Sequence, residues 1–450
     1  MSAREPESCL QIYGERRIVI YCERNISMEQ SKRNMPYYLS MGCIGTAIVV
    51  LPAGMSRSAW IAVVVSCAWV YALYRLDRKQ AATRLRQHKR WYIIGGILGG
   101  ILLLGGSASL YTLKKDSADG RFLMWKITTK AIQKQPITGT SLGGFPAAYA
   151  ETQAEYMASG KATEQEKLVA GCPEYAFNEY LQIGLEQGLV GLALFIGWLG
   201  LLFYKGIKNK RYACCGGLMS LAIFAFSSYP LQLPEFWVVL IFLGVMSVTP
   251  DKDEIRENQA ESNGHRWGKQ IFFMGIAILG IGLFWMQKDH YKAYQQWNKA
   301  QMFYNNKAYE AALEVYEPLY PLLKHKPEFL FEAAQSLSKT GQYEKANEYL
   351  ERAVLLSSDP MLYYVMAKNE QCLGEYRQAE KHLLHAIDIL PERIYPYYLL
   401  MNLYTEPSYF QPAKLKMAID SVLTKKPKVE SSAIKEMKEK ARSMLNNTSI

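Results

Sequence analysis

Seven apolar runs of about 17 to 22 residues constrain this chain more than any other feature. Each run is long enough, at about 1.5 Å per residue in a helix, to cross a hydrocarbon core of roughly 30 Å. No such run recurs after about residue 288. The pattern predicts an all-α fold, with a polytopic transmembrane helix bundle followed by a polar region. The runs lie at 36–53, 58–74, 91–112, 184–204, 212–229, 231–249 and 270–287.

The join between the runs at 212–229 and 231–249 departs from a simple pair of spans. Its sequence YPLQLPEF places Pro230 and Pro234 at the boundary and leaves the second run short. Non-helical backbone at membrane depth is tolerated where protein buries it or where it lines a water-filled cavity. A re-entrant hairpin is therefore the alternative to two complete spans.

Basic residues set the predicted orientation, because Lys and Arg in short loops are retained on the cytoplasmic side. The densest basic tracts are RLDRKQAATRLRQHKRW at 75–91 and KGIKNKR at 205–211. With both tracts inside and seven spans, the loop 113–180 and the region after residue 288 are outside. The formal net charge of +11 then reflects membrane topology, and no basic patch with interleaved aromatics indicates nucleic-acid binding.

The eight cysteines show no metal-ligand spacing, so they do not predict a metal site. Half of them lie in predicted spans, where cysteine usually acts as a small hydrophobic residue. Cys172 and Cys372 are predicted outside the membrane. Free thiols are favoured there over a disulfide between the two.

Three similar segments in the C-terminal third indicate a repeat. Tyrosines at 309, 343 and 376 are spaced by 34 and 33 residues, and an alanine follows each tyrosine three residues later. This period, with a turn before each tyrosine and prolines near the unit boundaries, resembles the tetratricopeptide repeat. Such helix pairs bury their small and aromatic residues only by stacking, so three or four units form a short solenoid that contacts protein partners. The segments are NKAYEAALEVY (306–316), GQYEKANEYLERA (341–353) and GEYRQAEKHLLHA (374–386).

These patterns divide the chain into six parts. The N-terminal part lacks the apolar core of a cleavable signal peptide, so the first span is expected to act as the insertion signal. The predicted parts are a polar N-terminal segment at 1–34, transmembrane helices 1–3 at 35–112, an outer loop at 113–180, transmembrane helices 4–7 at 181–287, the repeat domain at 288–428 and a polar tail at 429–450.

Two arginines on the predicted outer side are candidates for anion binding. Arg57 lies at the outer end of the second span, and Arg121 begins a probable amphipathic helix that breaks near Pro136. A cation at the interface can simply anchor a span by extending its head group into water. Two arginines beside a loop that covers the membrane surface can instead hold a diphosphate with paired hydrogen bonds.

Three segments in this order resemble the O-antigen ligase and polymerase family of bacterial membrane glycosyltransferases. They are SRSAW, then GRFLMW with QPITGTSLGGF, then FNEYLQIGLEQGLVG, and they cover roughly residues 36–249. In that family the outer loop ends in a His-Asn pair, followed nine residues later by GxxG at the start of a span. Asn178 is followed here by nine residues and then by Gly188-Leu-Val-Gly191. Members of this kind from Bacteroidetes also carry C-terminal tetratricopeptide repeats.

The resemblance implies metal-independent transfer of a glycan from an undecaprenyl-diphosphate carrier to an acceptor hydroxyl on the periplasmic side of the inner membrane. Arg57 and Arg121 would neutralise the leaving diphosphate, whose charge grows as the glycosyl bond breaks. The acceptor would be the lipid A-core or another lipid or protein. No cofactor is implied.

Two departures from the family accompany this resemblance. The position of the family's histidine, which helps to activate the acceptor, is Phe177, and a phenyl ring cannot accept a proton. The family normally has about a dozen spans, so the resemblance implies that an N-terminal group of spans is missing. The scaffold alternative follows: a membrane-anchored repeat protein with an inactive ligase-like remnant.

Carboxylates near Phe177 are the candidate replacements for the missing base. Glu174 and Glu179 are predicted near the outer interface, where partial desolvation raises a carboxyl pKa. Asn178 is a candidate catalytic residue with them. The alternative for Asn178, Gln182 and Glu186 is helix capping and polar contact between helices. Within the family, O-antigen polymerase and protein O-oligosaccharyltransferase remain alternatives to the ligase.

Overall fold

The computed structural model describes residues 38–50, 56–77, 115–249, 266–427 and 429–447. All regular structure within these ranges is helical. The predicted N-terminal segment, the predicted span at 91–112 and most of the basic tract at 75–91 lie outside the described residues. The first ten helices are α1 (Tyr38–Val50), α2 (Arg57–Asp77), α3 (Lys115–Lys134), α4 (Phe145–Ala158), α5 (Glu164–Val169), α6 (Glu179–Glu186), α7 (Gly188–Lys208), α8 (Tyr212–Phe226), α9 (Pro234–Val248) and α10 (Arg266–Met286).

Two of the described helices, α2 and α7, are long and apolar enough to cross a membrane. Helices α1, α8 and α9 are apolar but shorter. The pair α8 and α9 has only 15 residues in each helix, because a 3₁₀ turn at Pro230–Gln232 separates them and α9 starts at Pro234. The prediction of seven complete spans is therefore confirmed only in part.

The apolar helices pack together over a small core and leave most of their side chains exposed. Leu199 and Leu202 of α7 meet Leu218 of α8 and Leu240 of α9. Outside this contact, α7, α9 and α10 present leucine, valine, isoleucine and phenylalanine to the surroundings. Contiguous exposed apolar surface of this extent indicates contact with lipid or with further protein.

The predicted outer loop is a compact helical unit, which we call the outer unit (residues 115–186). The helix with Arg121 begins earlier than the sequence suggested, at Lys115, and ends before Pro136. Its core includes Ile127, Phe145 and Leu185, all with almost no exposed surface. A segment expected to be a loop over the membrane surface therefore has its own hydrophobic core.

The C-terminal region forms stacked helix pairs at the predicted period. Ala312, Ala346 and Ala379 have no exposed surface, as close stacking of the pairs requires. The repeat prediction is confirmed. The helices are α11 (Lys288–Asn305), α12 (Tyr309–Leu323), α13 (Pro327–Lys339), α14 (Tyr343–Val354), α15 (Met361–Leu373), α16 (Tyr376–Ile389), α17 (Ile394–Leu403), α18 (Pro412–Thr424) and α19 (Ser432–Asn447).

The part expected to be a polar tail contains helix α19, which packs on α17 and α18. Its Ala441 is fully buried in the core of the last repeats. Terminal repeats need a cap with a polar outer face, and the charged sequence of α19 provides that face. The repeat domain is thus longer than the predicted 288–428.

Ala441→Asp in the isolated fragment 288–447 is expected to lower the melting temperature by about 5–10 °C. The substitution places a carboxylate in the apolar contact of α19, which costs on the order of 2–3 kcal/mol. Ala433→Asp is the matched control, because Ala433 is exposed on the same helix. Thermal unfolding followed by circular dichroism measures both. Equal melting temperatures of the two variants would contradict the capping role of α19.

The repeat domain docks against the outer unit through α16 and α4. The Gln153 side chain donates to the carbonyl of Ile389 (2.8 Å), and Ile389 and Leu390 join the core of the outer unit. Ser358 donates to the carbonyl of Pro173 (3.2 Å). The two regions therefore lie on the same side of the apolar helices.

Candidate functional site

Arg121 lies where the outer unit meets the end of α8. Its Nη1 donates to the carbonyl oxygen of Ser227 (3.0 Å). Its Cζ lies 5.3 Å from the centre of the Phe177 ring. A guanidinium can do both, because its planar face interacts with an aromatic ring while its edge donates hydrogen bonds. The residue at the family's histidine position is thus the direct neighbour of the candidate arginine.

Helix α3 holds this arrangement through Trp125, one turn after Arg121. The indole Nε1 donates to the carbonyl of Ala176 (3.2 Å), and the ring meets Phe226 edge-on at 5.6 Å. Residues four apart share one helix face. Arg121 and Trp125 therefore fasten both the 176–177 segment and the end of α8.

Arg57 is the first residue of α2, which packs along α8. Near the end of α2, Val70 faces Gly216 close to the start of α8, and Trp69 contacts Phe203 of α7. The second half of α2 therefore lies beside the start of α8. Arg57 begins a helix that packs along α8, and Arg121 contacts the end of the same α8.

Asn178 and Glu179 have structural partners that account for their burial. The Asn178 side chain caps α6 by accepting from the backbone N–H of Leu181 (3.1 Å). Glu179, which is 1% exposed, accepts from the Leu231 N–H (2.7 Å) and the Gln232 side chain (3.1 Å). Burial raises the pKa of Glu179, and these hydrogen bonds partly offset that rise. The contacts favour the capping and tethering alternative over a catalytic base.

Gln182 and Glu186 continue the polar face of α6. Gln182 accepts from the Ala176 N–H (3.1 Å) and donates to Glu186 (3.3 Å). The Glu186 carboxylate also accepts from the backbone N–H groups of Gly143 and Phe145. This row of side chains joins the 176–177 segment to the start of α4, which explains why polar residues lead directly into the apolar helix α7.

Two glycines allow the turn after α3 to contact the junction of α6 and α7. Gly139 and Gly188 have φ values of +69°, where side chains other than hydrogen are disfavoured. A Cβ on Gly188 would lie 2.0 Å from the carbonyl oxygen of Ile137. The Leu189 N–H donates to the carbonyl of Pro136 (2.8 Å). The first glycine of the GxxG pattern is thus required by backbone packing.

Glu174 is exposed and lies apart from Arg121. It lines a cavity of about 880 Å³ between the 172–174 segment and the repeat helices, with Glu328, Asp359 and Arg393 among the other lining residues. Arg121 lines a different cavity of about 330 Å³. Cys172 lines both cavities. The structure therefore does not bring Glu174 to the candidate arginine, although only a short segment separates the two spaces.

Aromatic residues around Arg121 were missed by sequence reasoning. Tyr229 stacks on Tyr175 with ring centres 5.2 Å apart and meets Phe177 edge-on at 4.9 Å. These residues come from the outer unit and from the loop after α8, and no spacing pattern connects them. The only local signal was Phe177 itself, at a position where the family has another ring.

The described residues contain no candidate metal site. No group of three or more His, Cys, Asp or Glu side chains is placed there to hold an ion. Among the described residues, Cys172 and Cys372 are not joined in a disulfide.

The described residues combine apolar helices, an outer unit and a stack of helical repeats. Comparison with known protein families shows what each of these parts resembles. Residues 42–196 match the family model described as O-antigen ligase. Residues 305–386 match the model of anaphase-promoting complex, cyclosome, subunit 3. The chain is therefore O-antigen ligase-like in its apolar part and carries tetratricopeptide-like repeats at its C-terminus. No curated protein matches the chain.

Solved structures of repeat proteins show limited similarity. MamA 41-end from Desulfovibrio magneticus RS-1 is 19% identical, covering 35% of this chain and 98% of that chain, with a TM-score of 0.28. The Yersinia enterocolitica chaperone SycD, in complex with a peptide of the translocator YopD, is 16% identical over 34% and 93%, with a TM-score of 0.22. A putative kinesin light chain from Podospora anserina is 17% identical over 35% and 88%, with a TM-score of 0.28.

Proposed function

We propose that this chain transfers a glycan from an undecaprenyl-diphosphate carrier to an acceptor hydroxyl at the periplasmic face of the bacterial inner membrane. One observation carries the proposal. Arg57 and Arg121 both belong to residues 42–196, which match the ligase family, and Arg121 contacts the end of α8, the helix along which α2 packs from Arg57 onward. A diphosphate at the membrane surface would meet both residues.

The proposed topology is multi-pass, with the outer unit and the repeats in the periplasm. The basic residues after α7 support a cytoplasmic position for that end. Helix α10 has 21 residues and exposes many apolar side chains between Ile271 and Met286, which suits a further span before the repeats. The α4–α16 contact supports placing the outer unit and the repeats in one compartment.

In the proposed reaction, the acceptor oxygen bonds to the anomeric carbon while the bond from that carbon to the diphosphate breaks. The two arginines stabilise the charge that grows on the leaving diphosphate. Phe177 cannot take the acceptor proton, and the Glu179 carboxylate is enclosed by its donors. We therefore assign the proton to the departing diphosphate itself.

A second candidate function is a membrane-anchored scaffold that recruits a protein through the repeats. The cavity of about 880 Å³ beside Glu174 favours it, because its size suits a bound segment of a partner. The same cavity is compatible with an enzyme whose acceptor is a protein. Transfer activity therefore separates the two candidates.

The deciding experiment expresses the full chain in a bacterial strain that lacks its own ligase. We expect a gel shift of a lipid or protein acceptor when an undecaprenyl-diphosphate-linked glycan is present. The Arg57→Ala, Arg121→Ala double variant, checked for membrane insertion, is expected to show none. Absence of transfer by the wild-type chain with every donor supplied would contradict the enzyme and favour the scaffold.

A further inference from the structure

A series of ring contacts begins at Arg121. It consists of the rings of Tyr175, Phe177 and Tyr229, which we call the aromatic cluster. Arg121 lies over Phe177, Phe177 meets Tyr229, and Tyr229 stacks on Tyr175. We propose that the aromatic cluster binds the sugar ring that is attached directly to the diphosphate of the donor. This inference rests on the proposed function and specifies which side chains hold the reacting sugar.

The segment that carries two of these rings is fixed on both sides. Ala176, between Tyr175 and Phe177, donates its N–H to Gln182 and accepts at its carbonyl from Trp125. Phe177 has a φ of +50°, a left-handed conformation that is unfavourable for residues other than glycine. The ring positions are thus set by surrounding contacts before any ligand arrives.

A second aromatic pair in the same unit shows what a purely structural stack looks like here. Phe145 and Tyr149 stack at 5.6 Å with almost no exposed surface, and the Tyr149 hydroxyl donates to Gln153 (2.7 Å). The aromatic cluster differs in both respects. Its three residues are only half-buried, and within the described ranges neither the Tyr175 nor the Tyr229 hydroxyl has a hydrogen-bond partner.

The ligand chemistry follows from what stands next to Arg121. In a glycosyl diphosphate the sugar ring is joined to the phosphate through one oxygen, so a phosphate at Arg121 places the ring beside Phe177. Aromatic faces suit the C–H surfaces of a sugar ring, and tyrosine hydroxyls suit its hydroxyl groups. A phenyl ring in place of the family's imidazole fits this use, because it keeps the ring and loses the proton acceptor.

The lipid chain of the carrier is a less suitable occupant. Two other aromatic residues, Phe122 and Phe226, are better suited to contact lipid. They are 61% and 55% exposed and flank Trp125. Aromatic side chains of this kind are common at the membrane interface. Half-buried tyrosines with unbonded hydroxyls are better matched to a polar ring than to a polyprenyl chain.

The test compares two probes on the purified full chain in lipid nanodiscs: undecaprenyl diphosphate, and the same carrier bearing one N-acetylhexosamine. Tyr229→Ala is expected to weaken binding of the glycosylated carrier about tenfold and to leave binding of the bare carrier unchanged. Tyr229→Phe should cause a smaller loss, since the ring remains. Phe410→Ala is the control, because it removes an exposed ring of the repeats that has no part in the aromatic cluster. If Tyr229→Ala does not fold, Tyr175→Ala replaces it in the same two binding measurements, with the same expected result.

Equal weakening of both probes, or no change in either, would overturn the assignment of the aromatic cluster. A wild-type chain that binds neither probe would overturn this inference together with the proposed function. Binding of the glycosylated carrier that depends on Tyr229, in a chain without measurable transfer, would instead support the sugar site and contradict only the enzyme. Isothermal titration calorimetry gives these affinities directly.

Discussion

Arg121→Lys is expected to lower glycan transfer about a hundredfold and to leave the protein in the membrane. A guanidinium can bridge two phosphate oxygens, whereas an ammonium offers a single point charge. Loss of such a contact to the leaving group costs on the order of 3 kcal/mol in the transition state. The lysine would also lose the planar contact with Phe177. Gel shift of the acceptor at matched expression measures the effect.

The control for this substitution is Arg352→Lys in the repeats, where the arginine is exposed and donates to the carbonyl of Lys324. Its transfer should equal that of the wild type. If Arg121→Lys left transfer unchanged, the proposed enzymatic function would stand and the role assigned to Arg121 would be contradicted.

Glu179→Gln is expected to act mainly on stability, because it removes an acceptor from the Leu231 N–H or the Gln232 amide.

Gly188→Ala is expected to destabilise the outer unit by roughly 3–5 kcal/mol. The new Cβ would lie 2.0 Å from the Ile137 carbonyl oxygen, a backbone atom that cannot rotate away, and φ at this position is +69°. The turn after α3 would have to move, and the contact of Glu186 with the start of α4 would move with it. Limited proteolysis in nanodiscs, read at the outer unit, measures the loss.

Gly197→Ala provides the matched control for Gly188→Ala. Both positions lie in α7, but no atom of the described residues lies within 4 Å of a Cβ on Gly197. Alanine in a helix interior is favoured over glycine by about 1 kcal/mol. The control should resist protease at least as well as the wild type. Equal resistance of the two variants would contradict the backbone contact as the reason for the glycine.

The repeats could be predicted from the sequence because their cause is local and periodic. Each unit needs a turn, a tyrosine that starts the second helix and an alanine three residues later, and this order is visible in Tyr309 and Ala312 as in the following units. Helix α19 has no such period, since a cap contacts its neighbour on one side only. Its single fully buried alanine, Ala441, does not stand out among charged residues.

The contact between the repeats and the outer unit could not be predicted from the sequence, because it joins residues that are distant in the chain. Gln153 and Ile389 are far apart in the chain, and neither belongs to a motif. Nothing in the sequence indicates this interface, because Ile389 has apolar character that suits a repeat core equally well. Only the packing in three dimensions assigns it to the core around Phe145.

Some residues of the candidate site could be predicted from the sequence, and others could not. Arg121 was visible as an arginine at the start of a predicted amphipathic helix, and Asn178 as a candidate helix cap before an apolar run. Tyr229 was not visible, because its role depends on the loop after α8 reaching the segment before α6. The base proposed at Glu179 came from its nearness to Phe177 in sequence, whereas its side chain contacts the Leu231 backbone instead.

The contact between α4 and α16 also sets a distance. Because the Gln153 hydrogen bond and the buried Ile389 hold the repeats against the outer unit, the cavity beside Glu174 has a fixed position relative to the cavity that Arg121 lines, and Cys172 lines both. A partner held in the cavity beside Glu174 would reach the membrane surface only with a segment of matching length. The repeats would then act as a molecular ruler that selects acceptors by reach as well as by chemistry.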